Sequence, residues 1–501
     1  MNTNFKPLGM AAAVAAISAG YAGTVNAQAS VASETELGDL AIVPYYTVLN
    51  GYSTGVNIIN TSERTQVLKF RFRRAIDSMD SMDFNVVLSP NDMYTGFIGL
   101  DGEDITWTSN DNSCTAPAYD TGPNKFTMPP IFREGAETGY VEIISMGSPI
   151  DEDQPIAISA LHDSDGIPDD CGLVRDNFFA NGVAGSTDKG VIDSATTHQL
   201  SGTGGTAEVS TYEASVDSLK VSYFIKSDET GVEFGDNAVH ISGFLDTPAM
   251  TNQETGIFSG DFQGFDHPDL NGGSPLDATN AVGYSRGKYV DLRAVLGAET
   301  LINDWSQNAN EALGATVDTD WVVTIPGQYV MLNLSTYLRD QEACLRVPAA
   351  AAAGVDACDY RDIPLTASFD VYDREEQGIT VEDGDLVVSP QPPGVVITDS
   401  LRDEVNVIEW GLTPVLGAPR TISVATPDGA KFGWASLATT PADANLGICD
   451  FDLAAQAFAC VPGVMDTPTP VVGFAAWQRA FGANPGSNYG RIVEHSRTQS
   501  S

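Results

Sequence analysis

Residues 66–73 alternate strictly, with Leu68, Phe70 and Phe72 on one face and Val67, Lys69, Arg71 and Arg73 on the other. A period of two is the signature of a pleated strand with one apolar face, so this segment reads as a half-buried β-strand. Residues 54–60 and 84–88 have the same character, and Ser89-Pro90-Asn91-Asp92 supplies a turn before 93–98. Four antiparallel strands in about fifty residues point to a sandwich and not to alternating βα units.

The same punctuation continues along the chain. Residues 102–212 loosen into Asp-, Gly- and Asn-rich loops that hold strand-like runs at 139–145 and 156–161, with 194–211 a Ser/Thr/Gly-rich loop. Strand character returns at 218–225 and 238–244. Residues 251–317 read as a linker carrying one helix at 290–307, where Leu292, Val295, Leu296, Leu301, Ile302 and Trp305 recur at near-helical spacing. A second β region follows at 321–325, 364–372, 406–410, 421–426, 432–437 and 471–477, and the Ala-rich run 349–353 reads as a short helical turn or slack loop. The expected fold is mainly β: two antiparallel, immunoglobulin-like β-sandwich domains at 28–250 and 318–501, with long loops and one short helical segment between them.

Residues 1–27 have the three parts of an export signal: Lys6, an apolar run from Leu8 to Ala22, and Val25-Asn26-Ala27 with small residues where a signal peptidase cuts. The run is too short to span a bilayer, and no later stretch approaches about 20 apolar residues. The expected location is secreted or cell-surface, with the periplasm as an alternative. All six cysteines, Cys114, Cys171, Cys344, Cys358, Cys449 and Cys460, lie after the proposed cut. An even number in an exported chain predicts disulfides, and spacing suggests Cys344 with Cys358, Cys449 with Cys460, and Cys114 with Cys171.

Twenty-five Lys and Arg against 67 Asp and Glu leave a formal charge of −42. That field repels a phosphate backbone and an anionic lipid surface, which excludes nucleic acid as the main partner. Such acidity fits saline surroundings, and ordinary surface acidity accounts for it equally well.

Several local motifs carry residue types used in catalysis or metal binding. Gly51-Tyr52-Ser53-Thr54-Gly55 matches a nucleophile elbow, but β-branched residues follow it where a helix is required, so a hairpin turn is the better reading. The five histidines, His162, His198, His240, His267 and His495, are scattered without zinc spacing, and His267-Pro268-Asp269 reads as a turn. A Ser-His-Asp group assembled across the fold stays open, since its members need not be sequence neighbours.

Asp163-Ser164-Asp165-Gly166-Ile167-Pro168-Asp169-Asp170-Cys171 sets alternate carboxylates around a glycine, a pattern that brings hard oxygens to Ca²⁺. The alternative is an acidic surface turn pinned by a disulfide. A second acidic group, Asp370, Asp373, Glu375, Glu376, Glu382, Asp383 and Asp385 around Gly378, reads as a solvated face. The basic stripe Lys69, Arg71, Arg73 and Arg74 is expected to pair with Asp77, Asp80 or Asp83, with an anion-binding groove as the alternative. Tyr45, Tyr46, Tyr94 and Trp434 are candidates for a sugar-stacking platform, against the commoner fate of core packing.

The Asp163–Cys171 stretch resembles the calcium repeats of thrombospondin type 3 modules, in one copy where those come in tandem. The resemblance implies Asp163, Asp165, Asp169 and Asp170 as ligands. Val43-Pro44-Tyr45-Tyr46-Thr47, Asn57-Ile58-Ile59-Asn60-Thr61 and Leu88-Ser89-Pro90-Asn91-Asp92-Met93-Tyr94-Thr95-Gly96 resemble secreted proteins of proteobacteria that carry no established activity. That resemblance implies an exported, β-rich protein and transfers no catalytic residue. The expected function is a non-enzymatic secreted or cell-surface protein, calcium-stabilised, that binds an extracellular ligand or envelope component in adhesion or matrix structure. The alternatives are a secreted hydrolase acting on polysaccharide or ester, with paired carboxylates, and a self-assembling extracellular subunit.

Overall fold

The computed structural model describes residues 30–498 apart from 77, 121–123, 177, 179–211, 250–267, 273–286, 308, 311–313, 328–364, 379–397, 402, 411–413, 419–420, 442–448, 453–456, 461–468 and 483. The expected export signal at 1–27, Cys344, Cys358, Asp77, His198, His267, Glu382, Asp383, Asp385 and the runs 194–211 and 349–353 therefore lie outside the described residues. What is described is mainly β, in antiparallel sheets. An eight-stranded sheet A centres on Leu40–Thr47, Thr138–Pro149, Gln66–Arg74 and Asp80–Leu88. A six-stranded sheet B runs Glu233–Asn237, Leu219–Ser227, Tyr52–Asn60, Met93–Asp101, Asp104–Thr108 and Lys125–Thr127.

Sheets A and B face each other because the alternation read in the sequence sends Leu68, Phe70 and Phe72 inward. Phe70 lies 5.0 Å from Phe84 and 5.0 Å from Trp107, which belongs to sheet B, and Phe84 lies 4.8 Å from Phe126. The other face of Gln66–Arg74 is not solvated, however. Lys69, Arg71 and Arg73 are 2 % exposed or less, so this strand is buried on both faces and the half-buried reading is corrected.

The later residues build a second pair. Sheet C orders Thr398–Leu401, Leu365–Asp373, Phe432–Pro441, Thr300–Ser306 and Ser496–Thr498. Sheet D orders Thr421–Ser423, Val405–Glu409, Thr316–Thr324, Val472–Ala480 and Tyr489–Glu494. Between C and D, Trp410 stacks on Trp305 at 5.7 Å and meets Trp321 edge-on at 4.9 Å. Sheet D is itself sandwiched. Trp321, Val323, Ile408 and Ala475 point to sheet C, whereas the alternate residues Val322, Val407, Phe474 and Ala476 join the core of the first sandwich. The uninterrupted apolar run Trp321-Val322-Val323 follows from this burial on two sides. Polar contacts run across the junction: Tyr45 donates to the Gly417 carbonyl at 2.7 Å, Tyr52 to that of Val415 at 2.9 Å, and Thr324 to that of Pro44 at 2.6 Å.

Two further expectations are corrected. The helix at 290–307 is a helix only over Gly287–Leu296. After Gly297 the chain enters the strand Thr300–Ser306, whose inward Leu301, Asn303 and Trp305 show a period of two. The strand-like 156–161 is the helix Pro155–Ala160, which Pro155 starts with its fixed φ. The strand-like run 139–145 does form, within Thr138–Pro149 in the middle of sheet A, and two shorter strands of the loop-rich 102–212 region extend sheet B. The immunoglobulin-like detail of the expected sandwiches is not confirmed: the sheets have eight and six strands where that fold has about seven in all, and Val405–Glu409 pairs in parallel with Thr421–Ser423.

A disulfide joins Cys114, on the edge strand of sheet A, to Cys171 at the start of the helix Cys171–Asp176. It closes a small satellite core of Val67, Val87, Met146, Ile156, Val174 and Tyr212. The antiparallel register sets Cys449 opposite Cys460 in a separate two-stranded hairpin.

Candidate functional site

The basic stripe is the first candidate to settle. Lys69 Nζ lies 2.8 Å from Asp83, Arg71 Nε 2.8 Å from Asp80, and Arg73 Nε 3.3 Å from Glu142, all among side chains 3 % exposed or less. Arg71 also approaches Glu142 at 3.5 Å and donates to the Pro268 carbonyl at 2.9 Å. Tyr140 donates to the carboxylates of Glu142 and Glu404, each at 3.0 Å, and Glu404 accepts from the Gly327 N–H at 2.6 Å. The cross-strand pairing expected with Asp80 and Asp83 is present. The network is closed to solvent and knits sheet A to the second sandwich, so it is no anion groove. Glu142 and Glu404 were not foreseen, because only the fold brings them across.

The histidines are structural where they are described. His240 accepts the Val221 N–H at Nε2, and His495 donates from Nε2 to the Val322 carbonyl while Asn303 donates to its Nδ1. Burial pushes both down to about 4, leaving neutral rings, with Nε2 of His240 and both nitrogens of His495 engaged. They border a cleft of about 280 Å³ between the two sandwiches that Tyr223, Asp236, Phe474 and Glu494 also line. Ser89, His162 and Asp92 do gather, but Ser89 Oγ at 3.3 Å and Asp92 at 3.7 Å both face the same His162 nitrogen, Nδ1. A proton relay needs the two ring nitrogens to serve two different partners, so this group is not a catalytic triad. Ser53 sits on the strand Tyr52–Asn60, after a turn in which Asn50 and Gly51 take positive φ of 54° and 74°.

The Asp-rich turn is organised by its own backbone. Asp163 accepts from the N–H groups of Asp165 at 2.8 Å and Ile167 at 3.1 Å, Gly166 takes φ +74°, and Asp170 caps the following helix through Gly172 and Leu173. Asp165 and Asp169 are exposed. Among the described residues, no group of three or more His, Cys, Asp or Glu side chains is disposed to hold a metal ion.

Burial and two N–H donors meet differently at Asp320, which lies in the junction and accepts from Val415 at 2.8 Å and Leu416 at 2.9 Å. Burial pushes its carboxyl up to about 7. A group raised in the folded state favours folding while protonated and loses that advantage as pH rises from the unfolded value near 4 to about 7. The stability of D320N relative to the native chain should therefore shift in the variant's favour between pH 4 and pH 7 and level off above. Urea melts at pH 4.5, 6 and 8 check this, and a difference that is flat or falls across the range contradicts it.

Three of the aromatic platform candidates are core residues: Tyr45, Tyr46 and Tyr94 are fully buried. Trp434 is not, at 43 % exposure. It stands on the outer face of sheet C, directly opposite Tyr372 in the ladder, and the two rings stack at 4.6 Å with planes 18° apart. Its carbonyl is held by Trp305 Nε1 at 3.2 Å, so the strand that carries it is anchored from the core side. Two acidic residues lie near the pair. Asp370 is exposed one pleat along the same face and accepts from Ser436 at 3.5 Å, and Asp373 organises the turn to Gly378 by accepting from Glu375 and Gln377 N–H. Arg374 lies over Phe432 at 4.9 Å. Asp370 and Asp373 of the second acidic group thus lie beside an aromatic platform, which the charge pattern alone did not signal.

Among the described residues no helix is long and apolar enough to cross a membrane. No family model, curated protein or solved structure matches this chain.

Proposed function

We propose that this chain is an exported, non-enzymatic β-sheet protein that binds an extracellular partner through the outer face of sheet C. The observation that carries this reading is the stacked Tyr372–Trp434 pair, with a tryptophan 43 % exposed on a sheet face that also carries the exposed carboxylate of Asp370. An indole held in solvent by an anchored strand offers apolar area at little conformational cost, which is the economy of a binding hot spot. The disulfide supports an oxidising location. The histidine geometry is in keeping with binding, because His240 and His495 are neutral and committed to structural partners.

Arrays of glycans and bacterial envelope components, read beside a broad panel of hydrolase substrates, test the proposal. The expected result is a specific binder lost in W434A, with no substrate turned over. Turnover of any substrate, or binders indifferent to Trp434, would refute it.

A further inference from the structure

We infer that the partner of the Tyr372–Trp434 face is a peptide segment of another protein that presents an arginine side chain; this rests on the binding function proposed above. The inference starts from how this acidic chain places its own arginines. Arg374 lies over Phe432 at 4.9 Å, Arg479 over Tyr489 at 5.4 Å and Arg491 over Trp477 at 4.7 Å. These planar cations lie against ring faces, where the ring quadrupole attracts them. Trp434 is the most exposed tryptophan described, and among the described residues no cation covers it.

Charge complementarity selects the occupant. The formal charge of −42 favours the approach of a cation from solution. At the platform itself, Asp370 sits diagonal to Trp434 across the paired strands, and Asp304 lies directly opposite it. Asp304 is engaged by Trp477 Nε1 at 2.9 Å, which leaves Asp370 as the exposed carboxylate on that face. A guanidinium can stack on an indole and direct its N–H fork to a neighbouring carboxylate, whereas an ammonium is a compact, strongly hydrated charge. The ring pair also takes the apolar stem of the arginine side chain.

The test is calorimetric titration of the full protein, at about 150 mM salt, with an acetylated Gly-Arg-Gly-Arg-Gly amide, its lysine counterpart and spermidine. The expected result is preferential binding of the arginine peptide, weakened about fivefold by W434A, less by W434F, and also by D370N. D228N, which alters an exposed pair with Lys226 elsewhere, is expected to leave the affinity unchanged. Equal binding to the native chain and W434A would mean attraction by the general field and would overturn the inference. So would a Trp434-dependent preference for spermidine, or no binding of the peptide. A Trp434-dependent glycan without peptide binding overturns the arginine assignment and keeps the binding function; no Trp434-dependent binder of any kind overturns both.

Discussion

Replacing Arg71 with Met is expected to lower the unfolding free energy by about 3–5 kcal/mol, because removing one partner of a buried ion pair leaves the other charge stranded. Arg71 is fully buried and reaches Asp80 at 2.8 Å, Glu142 at 3.5 Å and Asp83 at 3.8 Å. Methionine fills much of the same space, so the loss reports charge more than cavity. Lys69→Met combined with Asp83→Leu should cost less than the two single changes together, since their 2.8 Å pair then disappears as a unit. Urea unfolding at fixed pH measures both. A loss below about 1 kcal/mol for R71M would show that water reaches the network.

The second large effect concerns the disulfide. Cys114 and Cys171 are 57 residues apart, and a loop of that length removes about 4 kcal/mol of conformational freedom from the unfolded chain. Cys114→Ala with Cys171→Ala should lower stability by that order. The damage should concentrate at the helices Pro155–Ala160 and Cys171–Asp176, which the bond ties to the edge of sheet A. Hydrogen exchange would locate it. Apart from the bond, Arg175 holds this region through a 2.9 Å contact with the Thr115 carbonyl. An unfolding midpoint insensitive to the loss of the bond would contradict the account.

Alternation made most strands legible, because a sheet face needs a period of two whatever lies above it. The layers above were not legible. The pattern at 66–73 is the same whether Lys69, Arg71 and Arg73 meet water or meet Asp83, Asp80 and Glu142 on neighbouring strands. Leu292 to Trp305 reads as one helix because Leu296, Leu301 and Trp305 satisfy helical spacing by coincidence across Gly297. Within the candidate site, Trp434 and Asp370 were visible as single residues. Their juxtaposition was not, since Tyr372 meets Trp434 only through the pairing of Leu365–Asp373 with Phe432–Pro441, more than fifty residues apart. Nor does any local pattern separate Trp434 from the buried Tyr45, Tyr46 and Tyr94.

Hydroxyl-radical footprinting of the full protein, with and without the strongest binder from the arrays, tests the working surface most directly. Protection is expected at Trp434 and Tyr372, with the exposed Phe97 of sheet B unchanged. Protection at Phe97, or in the cleft between the sandwiches, with Trp434 still fully reactive would place the partner elsewhere and contradict the account.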